Sequence, residues 1–248
     1  MVETSGRYTS LYEWRHEHPE PDFKALSENP HNQAVELLLD NPTLIDWDGF
    51  AMNANDRAVD VLLQKLSSCR RPGTLPWLWS VSANPNDRVV SWLEQHSGCR
   101  YPDAMAMNAN NRIVDILLQH PFSVDWLYLS FNSNDRAVDM LMHYPKEINV
   151  PALSRNANDR VVSWVLNEET SHSLSFTSQR RLLGRYREEE GPLRFPSLQC
   201  HQRVDWKMLS ANGNPRAVAW LEQHAQHIHS QDIWCNPRLF DEPVYCLK

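Results

Sequence analysis

Arginine recurs at one position of a repeating pattern, as Arg57, Arg88, Arg112, Arg136, Arg160 and Arg216. A row of guanidinium groups set one structural unit apart could meet successive phosphates or bases, provided its charge is uncompensated. Asp56, Asp87, Asp135 and Asp159 precede four of these arginines, and Asp60, Asp115 and Asp139 follow three of them at i+3, within pairing distance on a helix. The expectation is a row neutralised within its own helices, with nucleic-acid binding through the row as the alternative reading. His224, His227, His229 and Cys235 form the densest group of potential metal ligands but lack the tight paired spacing of zinc sites. His96, His120 and His224 instead share one position near a helix end, where a donor suits the free carbonyls, so no metal is expected. With no Gly-rich phosphate loop, nucleophile elbow or HExxH, no catalytic residue and no cofactor is expected either. A different chemistry is offered by Arg180, Arg181, Arg185 and Arg187 followed by Glu188, Glu189 and Glu190, a dipolar run suited to a partner of complementary charge.

The elements that must position these residues are repeats. Asn53-Ala-Asn-Asp-Arg-Ala-Val59 has close copies beginning at Asn84, Asn108, Asn132, Asn156 and Asn212 and weaker ones at Asn29 and Asn236. The gaps between leading asparagines are 24, 31, 24, 24, 24, 56 and 24, the mark of stacked supersecondary units. Each unit reads as a helical hairpin, with Trp47 to Met52 as a first short helix and Asp56 to Lys65 as a second. Ala58, Val59, Leu62 and Leu63 give the second helix one apolar face, as do Ile113, Val114, Leu117 and Leu118. Asn55 can cap that helix through its side chain, and Asp56 complements the positive end of the dipole. Pro30, Pro85 and Pro237 follow the leading asparagine and push it toward extended backbone, in the turn between helices. One per unit, Asn29, Asn53, Asn84, Asn108, Asn132, Asn156, Asn212 and Asn236 would stack into a ladder. Each amide would bond the carbonyls that end its own first helix or those of the neighbouring turn. Trp47, Trp126 and Trp206 share one repeat position and Trp92, Trp164 and Trp220 another, which suits packing. Trp77 and Trp79 break the register and are candidates for an exposed aromatic contact.

In chain order, residues 1–21 read as a capping segment in which Leu11, Trp14 and His18-Pro19 resemble the second half of a repeat. Repeats fill 22–167, and a seven-residue insertion near Ser67 to Thr74 lengthens one inter-repeat loop. Residues 168–205 hold a decayed unit, Leu174 to Leu183 with Thr177 for asparagine, plus an insertion, and 206–248 hold the last repeats and a closing cap. No apolar run approaches the roughly 18 residues of a membrane span, and no secretory signal is apparent in the first twenty residues. Five cysteines without CxxC spacing favour reduced thiols, hence an intracellular compartment, cytoplasmic or nuclear, and the net charge of −7 opposes general affinity for nucleic acid.

Leu26-Ser-Glu-Asn-Pro30 with Ile45-Asp-Trp47, and Val124-Asp-Trp126 with Leu129-Ser130, resemble the short Asn-Pro-Asn helical repeats of giant and other large eukaryotic DNA viruses. That resemblance implies an α-helical repeat protein, viral and virion-associated. The expectation from the residues is an all-α, right-handed solenoid of eight or nine short hairpins. At roughly 10 Å per unit it would extend about 80 to 90 Å. Such a chain would act as a non-enzymatic scaffold or as a binder of protein partners.

Overall fold

The computed structural model describes residues 11–18, 20–120, 123–144, 147–166 and 204–241. All the regular structure in them is helical. Helix α1 (Leu11–Glu17) precedes seven hairpins. Their first and second helices are α2 (Phe23–Leu26) and α3 (Asn32–Asp40), α4 (Trp47–Met52) and α5 (Asp56–Ser68), and α6 (Leu78–Ala83) and α7 (Asp87–Gln95). There follow α8 (Pro102–Met107) and α9 (Asn111–Gln119), α10 (Trp126–Ser130) and α11 (Asp135–His143), α12 (Val150–Leu153) and α13 (Asp159–Val165), and α14 (Trp206–Ser210) and α15 (Pro215–Gln223). An eighth unit is built from the 3₁₀ turns Asp232–Cys235 and Pro237–Phe240. The second helices begin as their sequence dictates: Asn55, Asn86, Asn110, Asn134, Asn158 and Asn214 each accept the N–H two residues on. Their apolar stripes are buried, as with Ala58, Val59 and Leu62, while Leu63 on the flank is only partly covered.

Units are joined by the leading asparagines, all of them buried. Asn108 is representative: its amide donates to the carbonyls of Ser82 at 3.0 Å and Asn84 at 2.8 Å, and its Oδ1 accepts from Asn110 N at 3.0 Å. The acceptors belong to the end of the preceding unit's first helix and to the preceding turn, not to the asparagine's own first helix. Asn53, Asn84, Asn132, Asn156, Asn212 and Asn236 repeat the arrangement. Asn212 reaches directly to Ser154 and Asn156, so units six and seven are neighbours despite the 56 residues between their asparagines.

The ladder closes on itself. Asn29 donates to the carbonyls of Trp234 and Asn236, both at 2.8 Å, which makes the first unit the successor of the eighth. The elongated stack expected from the repeat is therefore corrected to a ring of eight units. With neighbouring helix axes about 9 Å apart, the first helices lie on a circle only about 24 Å across. Short first helices pack side by side on the inside and the longer second helices form the outer layer. Unit eight has no full second helix of its own among the described residues, and α1 lies against its Pro237–Phe240 turn. In α1, Trp14 stacks on His18 at 4.1 Å and His18 Nδ1 meets the Trp14 carbonyl at 2.9 Å, as Trp92 and His96 do in α7. The resemblance of this segment to half a repeat thus has a structural meaning: α1 takes the outer place of the last unit.

Two further expectations change. The residues inserted after α5 extend that helix as well as the loop, making it 13 residues long where α3, α7, α9, α11 and α15 have nine. Trp77 is buried against Trp47, ring centroids 5.6 Å apart, rather than exposed. Trp79 is half-buried against Tyr128 at 5.2 Å.

Candidate functional site: the ring interior and its edge

The arginine row is neutralised, but between units rather than within helices. Arg57 pairs with Glu36 at 2.7 Å, Arg88 with Asp60 at 2.6 Å, Arg136 with Asp115 at 2.6 Å and Arg160 with Asp139 at 2.9 Å. Arg112 pairs with Glu94 and Arg216 bonds Ser163 Oγ. In every case the partner stands on the preceding unit's second helix. Side-by-side outer helices bring each arginine nearer to that neighbour than to the aspartate one turn further along its own helix, which corrects the expected Arg112–Asp115 and Arg136–Asp139 pairs.

A second ladder runs beside the first. Asn110 Nδ2 donates to Pro85 O at 3.0 Å and Asp87 Oδ1 at 2.8 Å, and Asn55, Asn86, Asn134, Asn158 and Asn214 do likewise to their preceding units. The residue that begins the second helix, an aspartate in Asp56, Asp87, Asp135 and Asp159 and an asparagine in Asn32 and Asn111, thus also receives the next unit's cap residue. At the closure this position carries His31 instead, stacked on Phe240 at 5.3 Å and 3.8 Å from Asp241. A serine two before the leading asparagine supplies a third link, since Ser27, Ser82, Ser130, Ser154 and Ser210 accept from the backbone N–H that opens the next unit. Sequence reasoning missed both links. The Leu-Ser pairs at Leu26 and Leu129 were the visible trace of the serine series.

Inside the ring, the residue before each leading asparagine faces the axis. This position carries Met52, Ala83, Met107, Phe131 and Ala211 in five units, but Glu28, Arg155 and Cys235 in the others. Glu28 and Arg155, three units apart around the circle, form an ion pair that must cross the interior. Gly49 leaves room for it: a Cβ there would stand 2.9 Å from Glu28 Cγ. The two side chains retain 24% and 33% of their solvent access, so the pair lies in a wetted recess. Burial, the largest single influence, lowers the Arg155 pKa, but the facing Glu28 carboxylate together with Cys235 and Asp232 outweighs it and holds the guanidinium above its ordinary value. The neighbouring Cys235 thiol is pushed up to about 12, by burial first and then by Glu28, against which Arg155 works. A thiol in that condition is protonated and a poor nucleophile. Charge at a position otherwise apolar was the sequence signal that could have found this pair. Trp79 and Tyr128, from units three and five, meet over unit four, a contact that is possible on the concave side only.

The histidine group is engaged in packing. His227 stacks on Trp206 at 4.0 Å, His224 Nδ1 meets Trp220 O at 2.8 Å, and His229 pairs with Asp232. Among the described residues, no three His, Cys, Asp or Glu side chains are grouped to hold a metal ion, and no helix is long and apolar enough to cross a membrane. Arg180, Arg181, Arg185, Arg187, Glu188, Glu189 and Glu190, and the decayed unit at Leu174 to Leu183, lie outside the described residues. Comparison with family models, curated proteins and solved structures returns no match.

Proposed function

We propose that the chain is a binding ring, a non-enzymatic scaffold that presents unit-specific side chains to a protein partner within a larger assembly. The observation that supports this most is how the repeat-coded polar groups are used. Leading asparagines, capping asparagines and arginines all bond the preceding unit, so what recurs holds the ring and what varies is left for recognition. Nucleic-acid binding through the arginine row loses its basis. Arg57, Arg88, Arg112, Arg136 and Arg160 already face carboxylates, and phosphate contact draws its affinity from uncompensated cations. The test has two arms run on the full chain. Labelled single- and double-stranded DNA and RNA should show no retardation at physiological salt, whereas in-cell cross-linking should yield a defined protein adduct. Salt-resistant nucleic-acid complexes abolished by Arg112→Ala and Arg136→Ala would reverse the ranking.

A further inference from the structure

Arg70, Arg71 and Arg100 stand outside the repeat and outside its pairing. The recurring arginines meet a partner on the preceding unit, whereas among the described residues these three face no carboxylate within ion-pair distance. The extra turn of α5 carries the chain roughly 5 Å past the ends of the other second helices before Arg70 and Arg71 follow, both exposed and beyond the acidic row on the outer helices. Arg100 lies eight residues ahead of its leading asparagine, where Ile45, Val124, Ile148, Val204 and Ile228 place an aliphatic side chain and Pro21 and Pro76 a ring. Its guanidinium donates to the carbonyls of Leu93 at 2.9 Å and Glu94 at 3.0 Å, at the end of α7, which fixes its direction without supplying a counter-ion. The turn Pro72–Thr74 that follows Arg71 packs on the turn Ser97–Cys99 that precedes Arg100, so the three cations share one corner of the ring. Cations gathered in this way repel one another, and an anion from outside removes that cost.

The glycines of these two turns point the same way. Gly49 and Gly213 are required by packing, since a Cβ would stand 2.9 Å from Glu28 Cγ and 2.6 Å from Pro237 Cγ. At Gly73 and Gly98 a Cβ would meet nothing within 4 Å, and neither backbone is in the left-handed region, so the fold demands glycine at neither place. Bare backbone at both turns leaves room for another chain to lie directly against them.

We infer that this corner, built from residues 70–74 and 97–100, binds an acidic segment of a protein partner. Its aspartates or glutamates pair with Arg70, Arg71 and Arg100, and its backbone lies over Gly73 and Gly98. A guanidinium matches a carboxylate through two parallel N–H donors, and those of Arg70 and Arg71 are uncommitted. Nucleic acid suits the corner less, because tight phosphate-backbone binding draws on about six to ten phosphate contacts, and beyond this corner the chain is acidic, with a net charge of −7. The inference deepens the partner-binding reading and rests on it.

The probe is a short rhodamine-labelled synthetic peptide with a run of glutamates between Gly/Ser flanks, titrated with the full chain and followed by anisotropy. Saturable binding that weakens as salt rises is expected. Arg70→Glu with Arg71→Glu should lower the affinity about tenfold or more, the equivalent of one strong contact. Gly98→Val, which fills the open turn without meeting the rest of the chain, should lower it several-fold. Lys24→Glu with Lys207→Glu makes the same change in net charge at exposed sites elsewhere and should bind like the parent. Circular dichroism confirms that each variant is folded. Absence of saturable binding, parent-like binding by either corner variant, an equal loss in the lysine variant, or displacement of the probe by a single-stranded oligonucleotide at lower concentration than by unlabelled peptide would each overturn the assignment. If in-cell cross-linking yields a protein adduct that Arg70→Glu with Arg71→Glu leaves unchanged, this surface falls while partner binding stands; if no protein cross-links anywhere, both fall.

Discussion

Asn29 donates from its side-chain amide to Trp234 and Asn236, across 205 and 207 residues of sequence, in the arrangement Asn53 makes with Ser27 and Asn29. In its leading-asparagine bonds the joint that closes the ring is the same as the joints within it. Each such asparagine bonds two carbonyls and one N–H in the interior. Asn29→Ala and Asn108→Ala should each destabilise the fold by about 1–3 kcal/mol, the range for leaving a buried polar group unsatisfied. Only Asn29→Ala acts at the closure, so it alone should raise the radius of gyration measured by small-angle scattering. A parent-like urea midpoint for both variants would contradict the ladder.

The outer arginine pairs should matter far less. Arg112 and Glu94 both keep about two-fifths of their solvent access, at 42% and 41%, so water screens the attraction. Arg112→Ala should lower stability by about 0.5 kcal/mol, and the difference from the parent should shrink as salt rises. A loss that is large and independent of salt would mean that Arg112 acts through packing.

Across the interior the sign is different. Removing one partner of Glu28–Arg155 leaves a charge in the recess without its counter-ion, and residual solvent access reduces the penalty from that of a fully buried pair. Arg155→Met should cost about 1–3 kcal/mol, and adding Glu28→Leu should recover most of it, because an apolar replacement of both partners removes the desolvation penalty. A double variant less stable than Arg155→Met would show that the pair is net favourable.

Cys235 makes stability depend on alkaline pH. Its thiol is pushed from the ordinary 9.0 to about 12 in the fold, so between those values the unfolded chain has lost a proton that the folded chain retains. The native state binds more protons there, and stability falls as pH rises; below about 9 the contribution is constant. Cys235→Ala should flatten this alkaline slope, measured by urea midpoints across the range. Alkylation of Cys235 at neutral pH should also be much slower than that of partly exposed Cys69. Rapid modification of Cys235 in the folded chain would refute its burial.

Much of this architecture was legible from side-chain chemistry: the helical hairpins from the apolar stripe at Ala58 and Val59, the caps from Asn55 and Asp56, and the asparagine register from its spacing. The closure was not. Asn29 bonds whatever turn precedes it, and the repeat reads the same whether that turn is nearby or 205 residues away. Curvature accumulates from helix packing between units, through small residues such as Gly49, and no single position encodes it. The arginine partners were missed for a related reason. Pairing at i+3 is a property of one isolated helix, whereas Arg136 lies beside Asp115 because two helices are packed side by side. Glu28 and Arg155 could be found only once both were known to face one axis.

Because all eight joints share the bonds of the leading asparagine, the ring should tolerate a change in where the chain begins. A permutant opened in the exposed turn between Arg71 and Gly73, with the two ends of the chain joined by a long Gly/Ser linker, keeps every asparagine ladder bond and tethers the noncovalent seam inside unit eight, where α1 lies against the Pro237–Phe240 turn. The cut falls at the start of the Pro72–Thr74 turn, outside the ladder, in a segment whose backbone bonds are local. Permutation at such exposed sites is generally accommodated. The permutant should fold with the parent's helical circular dichroism and radius of gyration, and within about 2 kcal/mol of its stability, since linking the seam offsets part of the loss at the new opening. In that background Asn29→Ala should also become milder, because the tether holds the Pro237–Phe240 turn to α1, which runs on into unit one. A permutant that expands, or that assembles through units of different copies, would mean that closure depends on the native order of the chain and that the joints are not equivalent.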